Sequence, residues 1–179
     1  MTQLFTSTGY LASAYLLPNG ETLNLQALPA FLRVLLTTDG TVTKSLESFF
    51  WEPVMVKPLN QALHILHEDL PSLDRHCGER VLLREVALVG ESSAVEYARA
   101  ESYILTELLP ISIREDLEAG RVGIGEMLRE LGLETYRELL ELGREETVCG
   151  DAITRRYRIV MHGKSFIQII EKFPLSVYR

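Results

Sequence analysis

The sequence predicts an α+β fold, a single mostly antiparallel sheet flanked by helices around a ligand pocket. Three observations carry this. Segments that alternate apolar and polar residues recur, joined by short turn sequences. The helix-type stretches gather between groups of strands instead of alternating with them one for one. Two strands, Val81–Val89 and Phe166–Phe173, each aim one charge, of opposite sign, at an otherwise apolar face.

In chain order, residues 1–24 are mixed, with a turn signal at Pro18-Asn19-Gly20, and read as an arm over the main body of a single domain spanning residues 1–179. Asn24 is placed to cap a helix from about Leu25 to Leu36, interrupted or started near Pro29. Thr37-Thr38-Asp39-Gly40 is a turn signal. After Thr41–Lys44, the β-branched and aromatic residues of Ser45–Lys57 predict a strand bent at Pro53. Asn60–Leu70 reads as a short helix.

Strands are predicted at Val81–Val89 and Val95–Thr106, with a hairpin loop at Gly90-Glu91-Ser92-Ser93. The second strand sets Ala98, Ala100 and Ser102 on one face, and Tyr97, Arg99, Glu101 and Tyr103 on the other. A face of small side chains leaves room for a ligand or a closely packed helix. Pro110 opens a polar helical stretch that stops at Gly120, and Gly123-Ile124-Gly125 leads into a short helix, Glu126–Leu131. Further segments at Thr135–Cys149 and Ile153–Met161 precede a turn at His162-Gly163-Lys164 and the last strand.

Glu171 shares its face with Ile167, Ile169 and Phe173, whereas Arg84 shares its face with Leu82, Val86 and Leu88. An unpaired buried charge is costly. The pattern leaves two readings: a structural salt bridge between Arg84 and Glu171, or a pocket in which Arg84 holds a ligand carboxylate and Glu171 meets a polar group at the other end.

Composition narrows the function. The 179 residues are 46% hydrophobic and 24% charged, with a formal net charge of −7. That acidity argues against nucleic acid or an anionic membrane as the main partner. There is neither an apolar run of membrane-spanning length nor a secretory signal, and Cys77 and Cys149 form no metal-ligand pair, so a cytoplasmic protein with reduced thiols is expected. His64, His67 and His76 lack the spacing of a metal motif. Arg155, Arg156 and Arg158 form a basic cluster, either a solvated strand end or a lure for an anionic substrate. Gly123-x-Gly125 ahead of a helix is a weak anion signal, and no nucleophile elbow is present.

Four segments together resemble the chorismate pyruvate-lyase family: Leu36-Thr37-Thr38-Asp39-Gly40-Thr41-Val42-Thr43, Leu82-Leu83-Arg84-Glu85-Val86, Gly123-Ile124-Gly125-Glu126-Met127-Leu128, and Arg155-Arg156-Tyr157-Arg158 through Glu171-Lys172-Phe173-Pro174. They span residues from about 30 to the C-terminus, in family order. The stretch from Gly163-Lys164 to Glu171 is about one residue longer than in the enterobacterial type, and the loop between Arg84 and Pro110 is longer too. The chain thus looks closer to the divergent archaeal, cyanobacterial and actinobacterial branch. A bulge would absorb the extra residue; a register slip would turn Glu171 outward.

The resemblance implies an antiparallel sheet with the ligand enclosed beneath flaps. It also implies conversion of chorismate to 4-hydroxybenzoate and pyruvate, in quinone biosynthesis, without metal or organic cofactor. Carried over by motif, Arg84 is the arginine on the aromatic carboxylate and Glu171 the glutamate at the ring hydroxyl. Val42 and Ile124 are the positions whose main chain contacts the ligand. Lys164, or an arginine of the 155–158 cluster, is the candidate for the second carboxylate. The competing class is a binding module, since regulators of related fold sense ligands through such a domain. Those regulators add a helix-turn-helix unit, for which residues before 25 leave no room. A third reading is a lyase acting on a related chorismate-derived substrate.

Overall fold

Six strands form one antiparallel sheet in the order β3-β4-β5-β8-β7-β6: β3 Val54–Ile65, β4 Arg80–Gly90, β5 Glu96–Ile104, β6 Thr135–Thr147, β7 Gly150–Met161 and β8 Lys164–Pro174. The computed structural model describes residues 4–118, 124–130, 132, 134–147 and 150–178. The sheet is two three-strand meanders, β3-β4-β5 and β6-β7-β8, joined where β5 pairs antiparallel with β8. Antiparallel neighbours need no crossover, so β4–β5 and β7–β8 are joined by short turns, while the longer segment 66–79, with a single 3-10 turn at Pro71–Leu73, links β3 to β4.

Ahead of the sheet, β1 (Ala14–Leu16) and β2 (Thr22–Asn24) make a hairpin around Gly20. Leu4, Tyr15, Leu17, Leu23 and Leu25 from this region are buried against Leu32, Leu35 and Leu36 of α1 (Ala30–Thr37). The predicted Leu25–Leu36 helix is therefore shorter at its start. Pro29 occupies the position before the first turn, and the Asn24 side chain accepts the Ala27 N–H in a local turn instead of capping the helix.

Two elements differ from the prediction. Of the strand predicted over Ser45–Lys57, residues 54–57 do begin β3, but residues 45–50 belong to a helix, α2 (Val42–Phe50). Its buried residues, Val42 and Leu46, are four apart, the helical spacing, and Trp51 in the left-handed region (φ 59°) ends it. β-branched and aromatic composition suggested a strand, but the period decided. Conversely, residues 60–65, rich in helix formers, extend the edge strand β3. Pairing with β4 overrides propensity there. Leu59 is the extra residue of a bulge, and the adjacent Pro58 lies in this edge strand, where a missing N–H is tolerated.

The predicted helices after Pro110 and Gly125 are α3 (Ile111–Glu118) and α4 (Ile124–Glu130). Gly120, Gly123 and Cys149 lie outside the described residues. Gly125 is required by packing, because a Cβ there would lie 2.9 Å from Thr41 Cγ2. A bulge at Phe166 separates the pairs Ile159↔Ile167 and Val160↔Ser165. It absorbs one residue, and Glu171 stays inward, opposite Ala100 and Arg155 and only 5% exposed. Among the described residues, no helix is long and apolar enough to cross a membrane.

Candidate active site

Register fixes which side chains meet, because residues directly opposite on neighbouring strands share a face. One row across the sheet reads Gln61, Arg84, Ser102, Ile169, Tyr157 and Leu139. The next reads Pro58, Val86, Ala100, Glu171, Arg155 and Leu142. Arg84 and Glu171 are thus separated by β5, about 10 Å across the strands and about 7 Å along them. The small residues Ala100 and Ser102 form the floor between them.

Above this floor is a cavity of about 310 Å³, the size of a small-molecule pocket. Arg84, Glu171, Val42 and Ile124 all line it, with Thr41, Gly125, Tyr157 and Ile169. α2 and α4 supply its roof. Arg84 is buried (3% exposed), and burial lowers its pKa from the usual guanidinium value.

The partner of Glu171 is Arg155, not Arg84. Arg155 Nη2 and Nε donate to Glu171 Oε2 at 2.6 and 3.0 Å, and the Tyr157 hydroxyl donates to Oε1 at 3.1 Å. Arg155 Nη1 reaches the Thr38 carbonyl (2.9 Å), and its guanidinium lies 4.7 Å from the Tyr157 ring centroid. Burial opposes the Arg155 charge, yet Glu171 outweighs it and holds the arginine pKa above its usual value. Burial, with Glu171 nearby, also pushes the Tyr157 phenol well up, so Tyr157 remains a donor. A carboxylate offers about four acceptor sites. Three are used, and Oε1 keeps one for a further donor.

The sequence reading treated the 155–158 arginines as one group, a solvated strand end or a lure for an anion, but the strand splits them. Arg156 and Arg158 pair outward across β6–β7 with Glu141 (2.5 Å) and Glu138 (2.8 Å). Arg155 points inward. Its phase with Tyr157 and Ile159 was the available signal. Lys164 does not join the site; it is exposed at the start of β8 and lines a separate hollow with Arg75, Arg158 and Ser72. Lys44, Arg129 and Arg137, none foreseen, do line the main cavity. Lys44 is bound to Glu47 at 2.7 Å. His64 and His67 lie on and just after β3 with rings 5.5 Å apart, not on a helix.

Comparison with known proteins agrees with this architecture. The family model for Rv2949c-like chorismate pyruvate-lyases matches residues 36–179. A chorismate pyruvate-lyase of Mycobacterium leprae is 31% identical over 166 residues, 87% of this chain and 79% of the relative. One from Mycobacterium tuberculosis is 28% identical over 163 residues, 83% of this chain and 81% of its own length. Among solved structures, the possible transcriptional regulator YydK of Bacillus subtilis superposes with a TM-score of 0.54 at 14% identity, covering 78% of this chain and 64% of that one. A GntR-family regulator from Bacillus cereus gives 0.50 at 9% identity, covering 70% and 94%. At such identities the regulators speak to fold alone. The extent of the family match and the mycobacterial relatives assign the chain itself: it belongs to the Rv2949c-like chorismate pyruvate-lyase family.

Proposed function

We propose that this protein converts chorismate to 4-hydroxybenzoate and pyruvate. The observation that carries the reading is the pairing of buried Arg84 and Glu171 at two ends of one cavity with a floor of Ala100 and Ser102. In this reading Arg84 grips the ring carboxylate, a planar anion that suits its planar fork of donors. The ring lies over the small residues. Glu171 Oε1 accepts a hydrogen bond from the ring hydroxyl, while Arg155 and Tyr157 fix the carboxylate from behind. Val42 and Ile124, on the roof, contact the ring from above through their main chain.

The reaction breaks the ether bond between the ring and the enolpyruvyl oxygen, and the neighbouring carbon loses its proton. The C–H electron pair becomes part of the aromatic ring, and the released enolpyruvate gains a proton to become pyruvate. Atoms balance without oxidant or reductant. Aromatisation drives the reaction, so the protein's work is to hold the reactive conformer. Glu171 is already charge-compensated by Arg155, which suits an acceptor that orients the hydroxyl-bearing carbon. A cytoplasmic setting fits the exposed free thiol of Cys77, which a reducing compartment preserves.

The test is incubation of metal-free protein with chorismate, following both products by chromatography. Equal formation of 4-hydroxybenzoate and pyruvate above spontaneous decay is expected. Tight binding of 4-hydroxybenzoate without turnover would replace the lyase with a sensor, and the absence of both turnover and binding would overturn the reading.

A further inference from the structure

Chorismate carries two carboxylates, and Arg84 accounts for one. In the orientation proposed above, the enolpyruvyl ether is attached to the ring carbon next to the hydroxyl-bearing one. The second carboxylate therefore leaves the ring at the Glu171 end of the cavity, far from Arg84. A cation is needed there.

Arg155 is not available, since Nε and Nη2 go to Glu171 and Nη1 to the Thr38 carbonyl. Arg156 and Arg158 face away on the outer surface, and Lys164 lines the other hollow. Lys44 is held by Glu47, and Arg129 is exposed on the last turn of α4. Arg137 of β6 differs from all of these. It sits opposite Ile159 on the cavity face, and its guanidinium carbon is 6.0 Å from the centroid of Tyr157, the ring whose hydroxyl holds Glu171. Nη1 donates to the carbonyl of Asp39, two residues before Thr41, which lines the cavity together with Arg137. Its Nε is fully buried, and among the described residues no acceptor reaches it. A buried guanidinium N–H without an acceptor is costly unless a ligand supplies one.

We infer that Arg137 binds the enolpyruvyl carboxylate of the substrate and so separates chorismate from its own product, which lacks that group. The inference rests on the lyase reading. Its consequence is a two-ended clamp: Arg84 holds substrate and product alike, whereas Arg137 holds substrate and lets go once the ether bond breaks.

Arg137→Gln and Arg137→Lys test it, with the KM for chorismate and the Kd for 4-hydroxybenzoate measured side by side. For Arg137→Gln, KM is expected to rise roughly 10- to 100-fold, the range for losing a hydrogen bond to a charged group. The 4-hydroxybenzoate Kd should stay within about twofold, and Arg137→Lys should recover part of the loss. If Arg137 only anchors the Asp39 loop, both constants will weaken together, since that loop leads into the cavity roof. That result, or an unchanged KM, overturns the inference while the lyase reading stands. No chorismate turnover by the unmutated protein overturns the lyase reading, and this inference with it.

Discussion

The two meanders of the sheet each bury one arginine on the cavity face to the same extent, and treat it in opposite ways. In the first, Arg84 on the middle strand β4 is 3% exposed, and its charge is disfavoured by burial. In the second, Arg155 on the middle strand β7 is also 3% exposed, and its charge is favoured because Glu171 on the next strand answers it. The difference teaches that burial alone does not identify a binding residue. What matters is which prevails at the guanidinium, its burial or the groups around it. In the second meander the attraction of Glu171 outweighs burial and leaves one carboxylate oxygen for a further donor, whereas in the first burial prevails at Arg84.

The sharpest way to break this comparison is Arg155→Met. It strands the Glu171 carboxylate among apolar groups, and stability should fall by about 3–5 kcal/mol in urea denaturation. The double variant Arg155→Met, Glu171→Met should recover most of that loss, as apolar replacement of a buried pair often does. A double variant as unstable as the single one would mean that Arg155 works chiefly through its contacts with Tyr157 and Thr38. Arg84→Met is the counterpart. Its folded pKa lies below the unfolded value, so burial of this charge opposes folding, and stability should fall less than in Arg155→Met. kcat/KM for chorismate should drop roughly 30-fold or more, the cost of truncating one partner of a buried charge pair at ~2 kcal/mol or above. A large loss of stability would make Arg84 structural.

Smaller effects refine the picture. Tyr157→Phe removes one donor from Glu171 and should cost roughly 1 kcal/mol in stability, with the 4-hydroxybenzoate Kd changing more than the Arg84 end would predict. Glu52, at the mouth of the first meander, is a carboxylate answered by neutral donors. It accepts from the Tyr97 hydroxyl and from the Ser92 and Ser93 N–H groups, and its pKa falls from 4.5 to about 2, chiefly through Tyr97. A depressed folded pKa stabilises above the unfolded value and loses that effect as pH falls. The denaturation midpoint of Glu52→Gln should therefore lie below that of the unmutated protein at pH 7, with the gap narrowing between about pH 4.5 and 2.

Much of the site was legible because strand parity is a strict rule. Counting by twos put Arg84 and Glu171 inward and made Ala100 and Ser102 a floor, and each faces the cavity. The same count along Arg155, Tyr157 and Ile159 would have found the true partner of Glu171, but three nearby arginines read as one cluster. Arg137 was hidden for a physical reason. Leu140 is a bulge in β6, so the inward set runs Arg137, Leu139, then Leu142, and no simple alternation survives. α2 and the end of β3 exchanged types because composition was weighed above period in one case, and local propensity above edge pairing in the other.

The bulge at Phe166 also bears on how this sheet tolerates change in chain length. Between the Gly163 turn and Glu171, it behaves as an expansion joint: one residue can be added or removed there while every pair from Ile167 onward keeps its opposite number. Such a deletion would sacrifice the core packing of Phe166 yet leave Glu171 facing Arg155, whereas a deletion two residues later would invert the strand beyond it. Relatives of unequal length can therefore keep one carboxylate in one place, provided that their insertions and deletions collect at this joint.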